Sequence, residues 1–458
     1  EDFMEKVIKK ILPIICLVPL VIGFIGYIVA GENVSDSLYG SITLYSMSMT
    51  FDSHNGYIEL ARWTAPLVSA TLILSIISKI WNSLVWKIKC FSKDSVAVYS
   101  DTDIDISFEK GTKAIYPGNE LKTAARSHIL LFSSDLKNFD FYAKNKDRLK
   151  DKAVFLGLRE LESGLIKESG NITIFDVNNS IARVLWKKIR VWELNKKELD
   201  IVIYGDSILA QHILSCALQL NLFSTDQKVT YHIISKSGNF FIKHSDFRTF
   251  NNDQLVHYTS LNESAWEVIK KADIVISADK VTAEMVQELA LNAHYGKVYY
   301  YYDSSSLSQY FDLDNIECFG ADSEIYTDDN IRKQKLIETA KKLNEEYAVN
   351  YSGKMDWNEL SGFLKNSNIS SADFNEVITE LSDRSNSEKL AELEHIRWCL
   401  FHYLNYWKQG VPDNGKIKDP KKRIHKNLMP YSELSEDDKN KCRDIVYMAI
   451  KRKNGSWS

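Results

Sequence analysis

The sequence predicts a multi-domain membrane protein. Two transmembrane helices with a re-entrant segment between them precede two α/β domains and a terminal helical domain. Three observations predict this order. Two long apolar stretches, residues 11–30 and 58–88, stand near the N-terminus. Between residues 92 and 350, β-branched runs alternate with helical patterns, and the alternation restarts once. Beyond residue 351 the pattern is helical and carries tryptophan and histidine at helical spacing. The expected boundaries are 1–91, 92–198, 199–350 and 351–458.

A chain of 458 residues has room for about three soluble domains on a prior of ~150 residues each. Its net charge of -4 supplies no global basic field, so no nucleic-acid partner is expected. The six cysteines are scattered without a C-x-x-C pair. Free thiols in a reducing cytosol fit that usage better than a zinc site or a disulfide framework.

Residues 11–30, ILPIICLVPLVIGFIGYIVA, contain no charge. About twenty residues at ~1.5 Å each match a hydrocarbon core of ~30 Å. A signal peptide also begins with lysines, here Lys6, Lys9 and Lys10, but its apolar core is usually only ~7–15 residues. A retained span is expected. The second span, residues 58–88, has an uncharged centre at 67–78 and Trp63, Trp81 and Trp86 towards its ends, as the membrane–water boundary favours. Lysines precede the first span, and Lys79, Lys87, Lys89 and Lys93 follow the centre of the second. The connecting segment is acidic, with Glu32, Asp36, Asp52 and Glu59 against Arg62. Positive charge stays inside, so both termini are expected to be cytoplasmic at a cell (inner) membrane.

Between the spans, residues 38–51 are apolar and hydroxyl-rich, and Asp36 and Asp52 flank them. They are too short to cross a bilayer. Non-helical backbone at membrane depth is tolerated only where protein covers it or water lines it. A short helix over about 36–45 and an extended run after it satisfy that condition in a ring of subunits. Ser46, Met47, Ser48, Met49 and Thr50 then face the axis, and Asp52 draws cations to the outer mouth. Ser69, Ile73, Ile76 and Ile80 are the expected pore-lining positions of the second span. The plain alternative is an extracellular loop with an apolar patch.

Span, half-buried loop and span together resemble the two-span pore of the potassium-channel superfamily. That resemblance implies a homotetramer around a pore. The family filter, T-V-G-Y-G, uses glycines to aim carbonyls at the ion. Residues 46–52 hold no glycine, so the expectation is a permeant monovalent cation without assigned selectivity.

Within 92–198, strands are expected at 95–99, 113–116, 128–132, 153–156 and 172–175, with helices at 120–126 and 139–149. A dinucleotide fold places a glycine-rich turn after its first strand. Here Ser100-Asp101-Thr102-Asp103-Ile104-Asp105 follows, and the three aspartates would repel a pyrophosphate. They would suit a divalent cation or a solvated edge instead. A crossover helix is expected over 178–194.

The pattern restarts at 200–204, DIVIY, and runs into Gly205-Asp206-Ser207-Ile208-Leu209-Ala210. Gly205 alone survives of G-x-G-x-x-G, with Ser207 and Ala210 as small substitutes. Strands are expected at 229–234, 255–258, 274–277, 298–302 and 316–319. After the second of these domain strands an NAD site needs an acid; Ser235 and Lys236 stand there, and Lys236 would meet a phosphate. Gly205, Ser207 and Lys236 are the nucleotide-binding candidates, beside the plainer reading of a packing scaffold. Two such domains after a two-span pore resemble tandem regulator-of-potassium-conductance domains, of the Rossmann-like TrkA-N type. The resemblance implies a cytosolic ring that pulls on the pore helix.

A charged helix over 331–348 leads out of this domain, and helices are expected at 356–365 and 371–381. Then come Glu394-His395-Ile396-Arg397-Trp398, Trp407-Lys408-Gln409-Gly410, a basic loop with His425, Leu428, Pro430 and Tyr431, and a closing helix with Arg443 and Asp444. These motifs, E-H-x-R-W, W-x-x-G, H-x-x-L-x-P-Y and a final K-x-R-D, resemble the ryanodine receptor repeat (RyR) domain over about 60 residues. Cys442 stands where that pattern has an acid, which removes a partner for Arg397 or Arg443. Glu394, His395 and Trp398 share one helical face. Arg397, Trp398, Trp407, Lys408 and His425, with Glu394, His395 and Tyr431, would surround an anionic, stackable ligand. The plain reading makes the tryptophans core and His395 a buried imidazole.

The expected function is a ligand-gated ion channel in the lipid bilayer, opened by a small nucleotide or cyclic-nucleotide messenger, with a role in bacterial stress or antiphage defence. A membrane-anchored nucleotide sensor or enzyme without a pore is the alternative. No G-x-S-x-G, H-E-x-x-H or intact glycine fingerprint supports an enzyme.

Overall fold

The computed structural model describes residues 2–161, 163–166, 171–249, 251–302, 312–351, 353, 355–413 and 415–453. Side chains of residues 2–15, 79, 82, 83 and 165 lie outside that description, Lys6, Lys9, Lys10 and Lys79 among them. The chain divides into two compact units, Glu1–Ser92 and Lys93–Ser458.

The first unit holds α1 (Asp2–Val29), α2 (Val34–Thr43) and α3 (Gly56–Cys90). Asn33 caps α2 by accepting from Asp36 N at 2.9 Å. Asn55 caps α3 and also donates to Gly26 O at 2.7 Å, which ties the start of α3 to α1. Tyr27, Leu44, Ile58, Ala61 and Ala65 form the core. Residues 56–78 of α3 are the one helix among the described residues long and apolar enough to cross a membrane by length and composition, and Cys16–Val29 is a shorter apolar helix.

The second unit opens with a five-stranded parallel sheet in the order β2-β1-β3-β4-β5. Its strands are β1 (Ser95–Tyr99), β2 (Lys113–Ile115), β3 (Ser127–Leu130), β4 (Ala153–Leu158) and β5 (Ile172–Asp176). Helix α4 (Asp135–Leu149) precedes β4, and α5 (Val177–Ile189) follows β5. Residues 120–126 are not the expected helix. Seven residues cannot easily repay helix nucleation. Their donors go elsewhere: Lys122 N to Tyr99 Oη at 3.1 Å and Arg126 N to Ser95 Oγ at 3.1 Å. The crossover helix also ends early, where Arg190 turns left-handed at φ 52°.

A six-stranded parallel sheet follows in the order β11-β10-β9-β6-β7-β8. In chain order its elements are β6 (Glu198–Tyr204), α6 (Ile208–Leu220), β7 (Lys228–Ile234), α7 (Asn239–Lys243), β8 (Gln254–Tyr258) and α8 (Glu263–Lys271). Next come β9 (Ile274–Ser277), α9 (Ala283–Asn292), β10 (Lys297–Tyr301) and β11 (Ile316–Phe319). This is the Rossmann order, with its switch point between β6 and β9. Alternation along β6 divides the core: Ile201 and Ile203 pack with α5 and α6, whereas Val202 packs with α8 and α9.

Short helices α10 (Asp322–Ile325) and α11 (Asp328–Ile331) lead back to the first sheet. There Arg332 bonds Asp94 and Asp328, the latter through Nε at 2.6 Å. The two sheets are thereby stitched into one body. The chain ends in α12 (Lys335–Tyr351), α13 (Gly362–Leu381), α14 (Ser387–Leu404), three two-residue strands, β12 (Lys408–Gln409), β13 (Lys418–Asp419) and β14 (Ile424–His425), and α15 (Glu436–Lys453). The two helices expected at 356–365 and 371–381 are one helix, α13, which Ser361 caps by accepting from Leu364 N.

Candidate functional site

In the first unit, α2 gives way to a single turn at Leu44–Ser46, and Met47 reverses the chain in the left-handed region at φ 61°. The run from Ser48 to Asn55 contains no regular element. Tyr45 pins the reversal to both long helices: its Oη donates to Cys16 O at 2.5 Å, and its carbonyl accepts from Ser69 Oγ at 2.9 Å. Thr43 and Thr50 hydroxyls meet at 2.8 Å, and Ser46 Oγ donates to Thr43 O at 2.8 Å. Met47 and Ser48 are exposed, Met49 is half-buried, and the Asp52 side chain is fully exposed. Ile73, Ile76 and Ile80 lie exposed on α3. Ser69 is turned towards the turn that follows α2.

At the second sheet's switch point, Gly205 takes φ 150°, and a Cβ there would come within 2.8 Å of Asp279 Oδ1. Asp279 accepts from the backbone N–H of Asp206 at 2.7 Å and of Ser207 at 3.1 Å. Those donors would otherwise face a phosphate. Ser207 Oγ caps α6 by accepting from Ala210 N at 3.2 Å. Asp206 in turn accepts from Ser237 Oγ at 2.5 Å, Ser235 Oγ at 2.7 Å and Lys236 N at 2.9 Å. These bonds, that of Ser237 first, hold the Asp206 carboxyl down to about 2. The Lys236 side chain is exposed. A cavity of about 20 Å³ beside this turn has room for about one water and for no nucleotide.

The first sheet repeats the device. Its switch point lies between β1 and β3. There Asp101 accepts from Ser133 N at 2.7 Å, Ser133 Oγ at 2.7 Å and Lys137 Nζ at 2.5 Å. Burial raises the Asp101 carboxyl, but Lys137 and Ser133 outweigh it and bring it to about 2. Among the described residues no group of three His, Cys, Asp or Glu could hold a metal. Both switch points are therefore filled by the chain's own carboxylates.

In the helical module the candidate residues split into two sets. Glu394 and Arg397 turn towards α13, each 1 % exposed. Arg397 donates to both Glu394 oxygens at 2.7 Å and to Ser370 Oγ at 2.6 Å, and Ser371 Oγ donates to Glu394 at 3.1 Å. The acid absent at Cys442 is not missed: Arg397 uses Glu394, and Arg443 uses Glu388 and Glu436. On the other side His395, Trp398, Trp407, His425 and Tyr431 come together, and His402 joins them. Trp398 and His402 rings lie 4.0 Å apart, Trp398 and His425 4.9 Å, and Phe363 stacks on Trp407 at 5.1 Å. His395 Nε2 donates to Met429 O at 2.8 Å, and His402 Nδ1 to Trp398 O at 2.8 Å. Burial lowers all three imidazoles, His402 to about 3 and His425 to about 4. Tyr431 Oη donates to Glu388 at 3.0 Å, and Lys408 is exposed on β12. This set is a close-packed cluster of neutral rings.

A site that sequence reasoning missed lies in the second unit, among three of its parts. A cleft of about 270 Å³ is walled by α5, by one face of α6, and by α7, α13 and the end of α14. Ile208, Gln211, His212, Ser215 and Gln219 present that face of α6 at helical spacing. Ion pairs hold the walls: Lys187 with Asp373 at 3.0 Å and Glu376 at 2.7 Å, and Arg190 with Glu380 at 2.7 Å. Ser370 Oγ donates to Gln219 Oε1 at 2.6 Å and so joins the buried Arg397–Glu394 pair to the cleft. The polar face of α6 was the available signal, since an interior crossover helix has no other need of it. Comparison with protein families, curated proteins and solved structures finds no match for this chain.

Proposed function

We propose that the chain is one subunit of a homotetrameric ligand-gated cation channel in the cell (inner) membrane. Residues 11–30 and 58–88 span the bilayer, both termini are cytoplasmic, and residues 36–52 line the pore. A nucleotide-type messenger acting on the α/β and RyR-like parts opens it, in bacterial stress or antiphage defence. The observation that carries the reading is the Tyr45 pin. A short helix followed by a tight turn and irregular backbone is folded against two long helices and bonded to each through Tyr45. Irregular backbone at membrane depth needs such protein cover. The monovalent cation pathway rests on the exposed Asp52 at the end of that segment.

A membrane-anchored sensor without a pore is the second reading. It is favoured by the hydroxyls of Ser46, Thr50 and Ser69, which bond within the chain. Conductance of the purified protein in planar bilayers separates the two. The channel reading expects unitary currents, and Asp52→Asn lowers the cation-to-anion permeability ratio. Silence with nucleosides, nucleotides and cyclic nucleotides alike leaves only the anchor.

A further inference from the structure

We infer that the cleft among α5, α6 and α13 is the ligand site, and that it takes a single nucleoside carrying at most one phosphate. The inference rests on the reading of the chain as a nucleotide sensor, but it places the ligand along α6 beside the second switch point, whose small cavity shares Gln211 and Phe240 with the cleft, and not in the turn itself.

Size is the first argument. Small-molecule pockets run from ~300 to ~1,000 Å³. At about 270 Å³ the cleft stands at the lower limit, enough for one base and sugar but not for a dinucleotide. Lining is the second. At one end His244 stacks on Tyr406, with ring centroids 5.0 Å apart and planes at 15°, and Phe240 lies 4.8 Å from His244. That end offers aromatic surface to a base. Along the walls Asn179, Gln211 and Asn366 supply donors and acceptors of the kind that read base edges and sugar hydroxyls.

Charge is the third argument. Glu160, Asp176 and Asp373 line the cleft, against Arg183 and Lys243. Arg183 already lies 3.7 Å from Asp373, whereas Lys243 reaches Gln211 Oε1 at 3.2 Å. Asp373 is paired with Arg183 and with Lys187, so Lys243 faces Glu160 and Asp176, and a polyphosphate would meet more negative than positive charge in the cleft. One phosphate on Lys243 is tolerated, and three are not. Position is the last argument. A ligand here touches the first α/β part through α5, the second through α6 and the helical module through α13. Any difference in how these three sit in two states becomes differential affinity, which gating requires.

The test is calorimetry on the full chain in nanodiscs with adenosine, guanosine, AMP, GMP and ATP as probes. At least one nucleoside or monophosphate is expected to bind, with ATP at least tenfold weaker. Ser215→Phe, which fills the cleft, and Asn179→Leu, which removes a wall amide, should each weaken it more than tenfold. An unchanged melting temperature of the unliganded variants shows that they fold. Failure of all the nucleosides and monophosphates to bind overturns the inference. So does binding that both variants retain. Binding without conductance upholds this site and sinks the channel; conductance without binding does the reverse.

Discussion

Arg397 and Glu394 face each other through two hydrogen bonds of 2.7 Å, both side chains 1 % exposed. The pair sits one hydroxyl from the cleft, through Ser370. Desolvating two charges is costly, and removing one partner leaves the other stranded. Arg397→Met is therefore expected to cost about 3–5 kcal/mol, and Glu394→Leu a similar amount. The double variant Glu394→Leu with Arg397→Met should cost much less than the sum, because no charge is left buried. Urea denaturation of the four proteins measures this, and additive losses would contradict it.

The Asp279 carboxylate fills the anion position of its own turn. Asp279→Ala leaves two backbone N–H groups without their acceptor, a loss of about 1–3 kcal/mol. Sulfate or phosphate should then enter, since the helix end still favours an anion. A melting temperature that falls in the variant and partly recovers with sulfate, but not with chloride at equal ionic strength, is the expected result. Equal stability in both proteins would show that the carboxylate is idle.

Much of this architecture can be read in the chain because parallel strands are buried on both faces. Runs such as Ile201–Val202–Ile203 and Ile274–Val275–Ile276 are apolar throughout and stand out. The short helix expected over about 36–45 is present as α2, but the run expected to be extended from Ser46 instead begins in a tight turn with Met47 left-handed, a local conformation that apolar patterning does not encode. What governs the sites was not legible. Asp279 meets a turn 73 residues away. The cleft draws on Glu160 and Tyr406 at once, so only folding brings its walls together. Arg397 and Trp398 are neighbours in sequence, yet one turns to α13 and the other to the ring cluster, because successive helical residues diverge by about 100°. Glu394 and Arg397, three apart, could be paired from spacing alone.

Gly26 is where α1 and α3 approach. A Cβ there would come within 2.8 Å of Ile58 Cγ1 and 2.9 Å of the Ile58 backbone nitrogen. A backbone atom cannot rotate aside, so the helices must part. Gly26→Val is expected to cost about 1–3 kcal/mol in the first unit, as overpacking does. It should also loosen the Asn55-to-Gly26 bond. Gly56→Ala is the control, since nothing lies within 4 Å of its Cβ. Melting in detergent, read on both variants, should lower the first and spare the second; equal curves would refute the close contact.

The buried imidazoles predict a pH dependence whose sign can be worked out. His395, His402 and His425, and His128 in the first sheet, titrate below the ordinary 6.5 when folded, burial being the first cause in each. The unfolded chain therefore binds more protons once the pH drops under about 6.5. Stability is complete above that value and declines as pH falls towards the folded values, about 4 for His128 and His425 and about 3 for His402. Between pH 7.5 and 5.5 His128, His402 and His425 each account for about 1 kcal/mol, and His395 adds in the same direction. Asp253 opposes them. Burial lifts its carboxyl to about 6, so it favours the fold at low pH and loses that contribution as pH rises through 6. Its share, also about 1 kcal/mol, offsets one of those three histidines. A net loss of roughly 2–3 kcal/mol on acidification to pH 5.5 is expected from urea midpoints. His402→Gln should flatten the dependence by about one histidine's share even if the variant is less stable throughout. A stability that rises on acidification, or a slope untouched by the substitution, would mean that these rings are already protonated inside the fold.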